Sequence, residues 1–189
     1  MTGEESLQII SEMIAAAKTG IRDNGFFYLL WGYLVFVASI TQYILCFVIP
    51  TDYNYLPWAI LMPLGGIVSA TYGRKIKKAR KVKTFLDQFM GYALFAFLIS
   101  LFSVLFYMGK LQKPELAYPL IMMVYGAWLF VSGGALKFKP LIIGGCINWA
   151  LSLASMFVIF QWQLLILALA VLLGYIIPGH LLKSSYQEE

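Results

Sequence analysis

The chain is poor in the side chains on which most protein chemistry depends. It holds one histidine, His180, and two cysteines, Cys46 and Cys146, in 189 residues. So few imidazoles and thiols exclude a His/Cys metal cluster, and no metal is expected. No phosphate-binding glycine loop, catalytic carboxylate pair or dinucleotide fingerprint occurs either. No cofactor is therefore expected, and the chain does not read as an enzyme. Charge is the third scarcity. Only 12% of residues are charged, about half the usual ~25% of a soluble domain.

Apolar residues take their place. They make up 61% of the chain, and the mean hydropathy is +0.79. Charge is absent from 24–51, 53–73, 88–109, 116–136 and 140–182. A helix needs about 20 apolar residues to cross the hydrocarbon core, and the last stretch is long enough for two crossings. The expected fold is all-α: a polytopic bundle of six transmembrane helices over 26–182, with a short cytoplasmic tail at 183–189. The spans are predicted at about 26–47, 55–72, 88–108, 116–136, 140–160 and 162–182, with "QWQ" at 161–163 as the last turn. Pro57, Pro119 and Pro140 all fall in a first turn, where a missing N–H costs least. Continuous rather than alternating apolar runs argue against a β-barrel. "MTGEES" lacks the basic start of a secretory signal, so the first span is expected to stay in the protein.

The basic residues fall on one side of this layout. Arg74, Lys75, Lys77, Lys78, Arg80, Lys81 and Lys83 form a run without an acid. With the N-terminus inside, twelve of the fourteen Lys and Arg are cytoplasmic, and only Lys110 and Lys113 lie outside. That matches the excess of cations on cytoplasmic loops, so both termini are expected in the cytoplasm. The run reads as a topology determinant and a contact for lipid headgroups. It has no interleaved aromatic, and nucleic acid is not an expected partner.

Residues 1–25 form a separate element. Leu7, Ile10, Ile14, Ala17 and Ile21 share one helical face, and Thr2 with Glu5 fits a capping box. A short amphipathic cytoplasmic helix is predicted. It is acidic, unlike a helix made to lie on anionic lipid. It should pack on protein: on this chain, on a partner or on a second copy, through residues 4–21.

Polar and small residues inside the spans are the remaining candidates. Gln42, Pro63, Gly66 and Asn148 are the tentative ligand-binding set, since polar groups in spans face the bundle interior. The same residues also serve as ordinary helix–helix contacts. Asp87, three residues after Thr84, reads as part of a helix start. Ser132 and His180 do not make a rhomboid-type protease. "VSGG" at 131–134 is not Gly-x-Ser-Gly, and both residues fall at the cytoplasmic boundary. "WGYLVFVA" at 31–38 resembles "YGAWLFVS" at 125–132, a hint of three-span halves such as some transporters have.

The stretch "DNGFFYLLWGYLVFVAS" at 23–39, after "LQIISEMIAAAK", resembles a group of small uncharacterised bacterial inner-membrane proteins. The resemblance implies a location in the bacterial cytoplasmic membrane and carries no activity or site residues. Two functions remain open. One is a non-enzymatic binding or regulatory membrane protein acting through its cytoplasmic face. The other is a small-molecule transporter or transport subunit with a midplane site between the second and fifth spans.

Overall fold

The computed structural model describes residues 25–79, 85–111 and 113–185. These residues are helical almost throughout, with no strand among them. Helix α1 runs from Phe26 to Tyr43 and continues as a π-helical stretch, Ile44–Val48. Helices α2 to α5 cover Leu56–Ala79, Phe85–Leu111, Ala117–Ala135 and Lys139–Ser155. Helix α6 begins as Phe160–Val171, passes through a π stretch at Leu172–Ile176 and ends as Ile177–Ser185. Five of these helices, all but α5, are long and apolar enough to cross a membrane. Helix α5 has 17 residues. At 1.5 Å per residue it spans about 25 Å, a little less than a hydrocarbon core.

One expected boundary is wrong. The break before α6 falls at 156–159, and "QWQ" opens the helix rather than making the turn. The reason is a capping interaction. Gln163 Nε2 reaches back to the Ser155 carbonyl at 3.1 Å and the Val158 carbonyl at 3.5 Å. These lie at the end of α5 and in the turn, where carbonyls lack a partner within the helix. Helices α2 and α3 also extend past their predicted ends, so Arg74, Lys75 and Lys78 sit on helix rather than loop. Residues 1–24 of the predicted N-terminal element (1–25), Arg80, Lys81, Lys83 and the end of the tail lie outside the described residues.

The core belongs to α1, α4, α5 and α6. Val35, Met122, Leu129, Leu141, Leu164, Leu167 and Val171 are fully buried among them. Helix α5 is packed closely on two sides. A Cβ on Gly145 would stand 2.8 Å from the Gly126 carbonyl oxygen of α4. A Cβ on Gly144 would stand 2.8 Å from the Gly174 Cα of α6. Consecutive residues point about 100° apart around a helix, so two adjacent glycines open α5 to two different neighbours. The link between α4 and α5 is equally tight. Lys137 takes a left-handed φ of 54°, and Phe138 N–H bonds the Gly133 carbonyl at 2.9 Å. This closes α4 with a turn of the Schellman type.

Helices α2 and α3 are peripheral. Helix α2 lies along α1, where Trp31 Nε1 donates to Ser69 Oγ at 3.1 Å. Helix α3 rests on α4 through Phe97, whose ring lies 5.3 Å from Trp128 and 5.9 Å from Tyr125. No residue of α3 is buried, and Phe85, Tyr92, Phe95, Phe102 and Phe106 are all more than half exposed. An apolar surface of that extent belongs in lipid. The two halves do not pack alike. Gly32 and Gly126 hold matching places in the similar stretches, yet Gly32 backs onto α6 and Gly126 onto α5.

Gly145→Ala should lower the melting temperature in detergent by the equivalent of about 1–3 kcal/mol, because backbone must move to admit the methyl group. Gly66→Ala, with open space around its Cβ position, should be neutral or slightly stabilising. Thermal unfolding of the two variants side by side checks the contrast, and equal losses would contradict the packing described.

Candidate functional site

The four tentative ligand-binding residues do not converge. Pro63 and Gly66 are exposed on α2, and nothing lies within 4 Å of a Cβ built on Gly66. Asn148 is fully buried on α5, and Gln42 is buried near the end of α1. The main packing of α2 is against α1, so the structure does not bring α2 and α5 together around a shared site. Pro63 stands inside the helix without ending it.

Asn148 joins α5 to α6. Its Nδ2 donates to the Gly144 carbonyl one turn earlier at 2.9 Å, and to the Ala170 carbonyl of α6 at 3.1 Å. Its Oδ1 is buried with no partner among the described residues. Directly opposite stands Gly174, where a Cβ would collide with the Asn148 amide. Gly174 lies inside the π stretch of α6, a distortion often found where helices meet function or tight packing. No sequence pattern singles out Gly174; its only signal is a glycine in mid-span with no turn to explain it. Two more side chains tie α5 to α4. Ser152 Oγ donates to the Pro119 carbonyl at 2.7 Å, and Trp149 Nε1 to the Met123 carbonyl at 3.0 Å. The midplane is thus filled by glycine contacts and side-chain-to-backbone bonds.

Gln42 organises one end of the bundle. Its Oε1 accepts from Trp58 Nε1 at 2.6 Å and from the Tyr118 hydroxyl. A file of rings extends the knot, from Trp58 through Tyr118 and Phe160 to Phe47 and Tyr43. One amide therefore links α1, α2 and α4, and the rings carry the contact to α6.

The other end gathers the start of α1 and the ends of α2 and α6. Phe26 and Tyr72 stack at 4.0 Å. Gly25, at φ 72°, leaves room for the Gly179 carbonyl, which a Cβ there would meet at 2.5 Å. Of the seven basic residues, the side chains of Arg74, Lys75 and Lys78 are described, and all three are exposed. His180 and Tyr33, both exposed, meet across α6 and α1 at 2.8 Å between Nε2 and the hydroxyl. Asp87 stands in the first turn of α3. Cys46 is half-buried and Cys146 exposed, both as free thiols. Cys146 thus faces outward although it stands in an apolar stretch of the sequence. Ser132 is buried and bonds the Leu129 carbonyl of its own helix. Among the described residues no group of three His, Cys, Asp or Glu could hold a metal ion.

Two shallow hollows lie on the outer surface rather than in the core. One, of about 370 Å³, is lined by Ile99, Phe102, Ser103, Phe106 and Tyr107 on the outer face of α3. The other, of about 520 Å³, is lined by Thr71, Arg74, Lys75 and Lys78 at the end of α2. No family model matches the chain, and no curated protein or solved structure matches it either.

Gly174→Ala should destabilise the protein because the new methyl group competes with the Asn148 amide for one space. Asn148→Ala in that background should restore part of the loss, a coupling of about 0.5–3 kcal/mol. Thermal unfolding of the two single variants and the double variant measures it. Additive losses would show that the residues do not share the space.

Proposed function

We propose that the chain is a six-span protein of the bacterial cytoplasmic membrane, with both termini in the cytoplasm. Helix α5 is counted as the sixth span despite its length, because its neighbours on both sides are spanning helices. On this reading the protein is a non-enzymatic binding or regulatory membrane protein that acts through its cytoplasmic face. One observation carries the reading. The junction of α4, α5 and α6 is closed by glycine contacts, whereas exposed cations line an open surface depression at one end of the bundle. The ends agree with this. The start of α1, the basic end of α2 and the end of α6 lie together, and twelve of the fourteen Lys and Arg follow on that side. A cationic excess is what holds an end in the cytoplasm.

Transport is the second reading, and the buried, unpartnered Oδ1 of Asn148 favours it. A site shared by the second and fifth spans would require α2 to leave α1 and approach α5. Function at the basic end requires no such rearrangement.

The side is open to direct test. In a variant with Cys46 and Cys146 replaced by Ala, Lys78→Cys and Lys113→Cys should react from opposite sides of the membrane. An impermeant maleimide added to intact cells should label Lys113→Cys and leave Lys78→Cys unreacted until the cells are opened. Labelling of Lys78→Cys from outside would place the basic end in the wrong compartment and defeat the reading.

A further inference from the structure

Helix α2 presents one continuous exposed lane. Ile60, Leu64, Ile67, Thr71, Lys75 and Lys78 recur at intervals of three and four residues, which keeps them on one side of the helix, and Arg74 stands three residues after Thr71 at the edge of that side. The first part of the lane is apolar. Ile60, Leu64 and Ile67 are 61%, 49% and 63% exposed. The second part is cationic. Arg74, Lys75 and Lys78 are exposed and, with Thr71, line an open surface depression at the end of α2. None of the three has an ion-pair partner among the described residues. Thr71 Oγ1 donates to the Val68 carbonyl of its own helix at 2.9 Å, which leaves its oxygen without a proton to offer a ligand.

The change from apolar to cationic occurs beside a ring cluster. Tyr72 stacks on Phe26 at 4.0 Å and meets Phe27 at 5.7 Å. Aromatic rings collect at the boundary between hydrocarbon and headgroups. Arg74 begins about 3 Å further along the axis, on the far side of these rings from the apolar part of the lane. Lys and Arg stems there lie along apolar surface while their charged ends meet the headgroups. The lane therefore has the chemistry of a phospholipid laid along a helix: a surface for an acyl chain, then several cations for one phosphate.

We propose that this lane is a binding site for an anionic phospholipid. Its acyl chain runs along Ile60, Leu64 and Ile67, and its phosphate is held by Arg74, Lys75 and Lys78. The site rests on the reading of the basic end as the working face, and it names that face's ligand. It is more specific than a topology signal, which needs only charge on the correct side. A lipid site also needs the apolar lane and these particular cations.

The test uses the purified full-length chain in detergent with dioleoyl phosphatidylglycerol or dioleoyl phosphatidylcholine as probe, and reads retained lipid by native mass spectrometry. The wild type should retain phosphatidylglycerol at least tenfold better than phosphatidylcholine. Arg74→Gln with Lys78→Gln should weaken phosphatidylglycerol retention by about tenfold or more, given the worth of each cation near a lipid surface. Lys137→Gln with Lys139→Gln removes the same charge elsewhere and should change retention less than twofold. Equal losses in the two double variants would overturn the site in favour of a general charge effect. Displacement of the lipid by millimolar inorganic phosphate would show a free-anion site instead and overturn the lipid assignment. A tenfold rise in retention for Glu4→Gln, Glu5→Gln and Glu12→Gln together would mean the chain's own acidic segment covers the face, which also overturns it. Equal losses combined with Lys78→Cys labelled only from inside would remove the lipid site and leave the cytoplasmic reading standing.

Discussion

The structure depends on the close approach of α5 to α4 and α6. Lipid tails are as apolar as leucine, so burial of apolar surface does little to hold one spanning helix against another. Dense contact and hydrogen bonds must do that instead. Gly145 and Gly126 bring two backbones together on one side of α5, and Gly144 and Gly174 do so on the other. The absence of four side chains allows this contact. At that spacing Asn148 can bond both its own helix and α6, and Ser152 and Trp149 can reach carbonyls of α4.

That wedge explains the division of the molecule into a closed centre and an open margin. Helices α1, α4, α5 and α6 bury their inner faces against one another. Helices α2 and α3 add to the outside through aromatic contacts, and α3 buries nothing of its own. The Gln42 knot at one end and the stacked rings of Phe26 and Tyr72 at the other hold α2 in place. Such a margin meets lipid along most of its length. Its chemistry is concentrated where α2 leaves the membrane, and that is why the proposed activity lies at the basic end rather than at the midplane.

Interior and exterior were hard to tell apart from the residues alone, for a physical reason. In water a helix shows its buried side by an apolar stripe against a polar face. In lipid both faces are apolar, and the contrast disappears. Gly66 and Gly145 stand in equally apolar surroundings in the sequence, yet the first faces open space and the second a carbonyl. Pro63, a candidate for the interior, faces outward for the same reason, as does Cys146 in its apolar stretch. Asn148 and Gln42 were legible as buried because an amide inside a span costs too much to face lipid. Their partners were not, since Ala170, Trp58 and Tyr118 become neighbours only through packing.

The sequence by itself determined the class. Gaps in charge marked the apolar stretches that form the long helices, and prolines marked three helix starts. These follow from local rules: a bilayer demands apolar length, a helix start tolerates proline, and loops carry the charge. Tertiary structure alone decided which helices form the core and which lie at the margin. It also decided that "QWQ" caps α5 instead of separating it from α6. Finally, it placed Arg74, Lys75 and Lys78 on helix rather than in a loop, which turned a stretch of basic sequence into a face of fixed spacing. Those outcomes depend on how far one backbone can approach another, a distance that no single residue specifies.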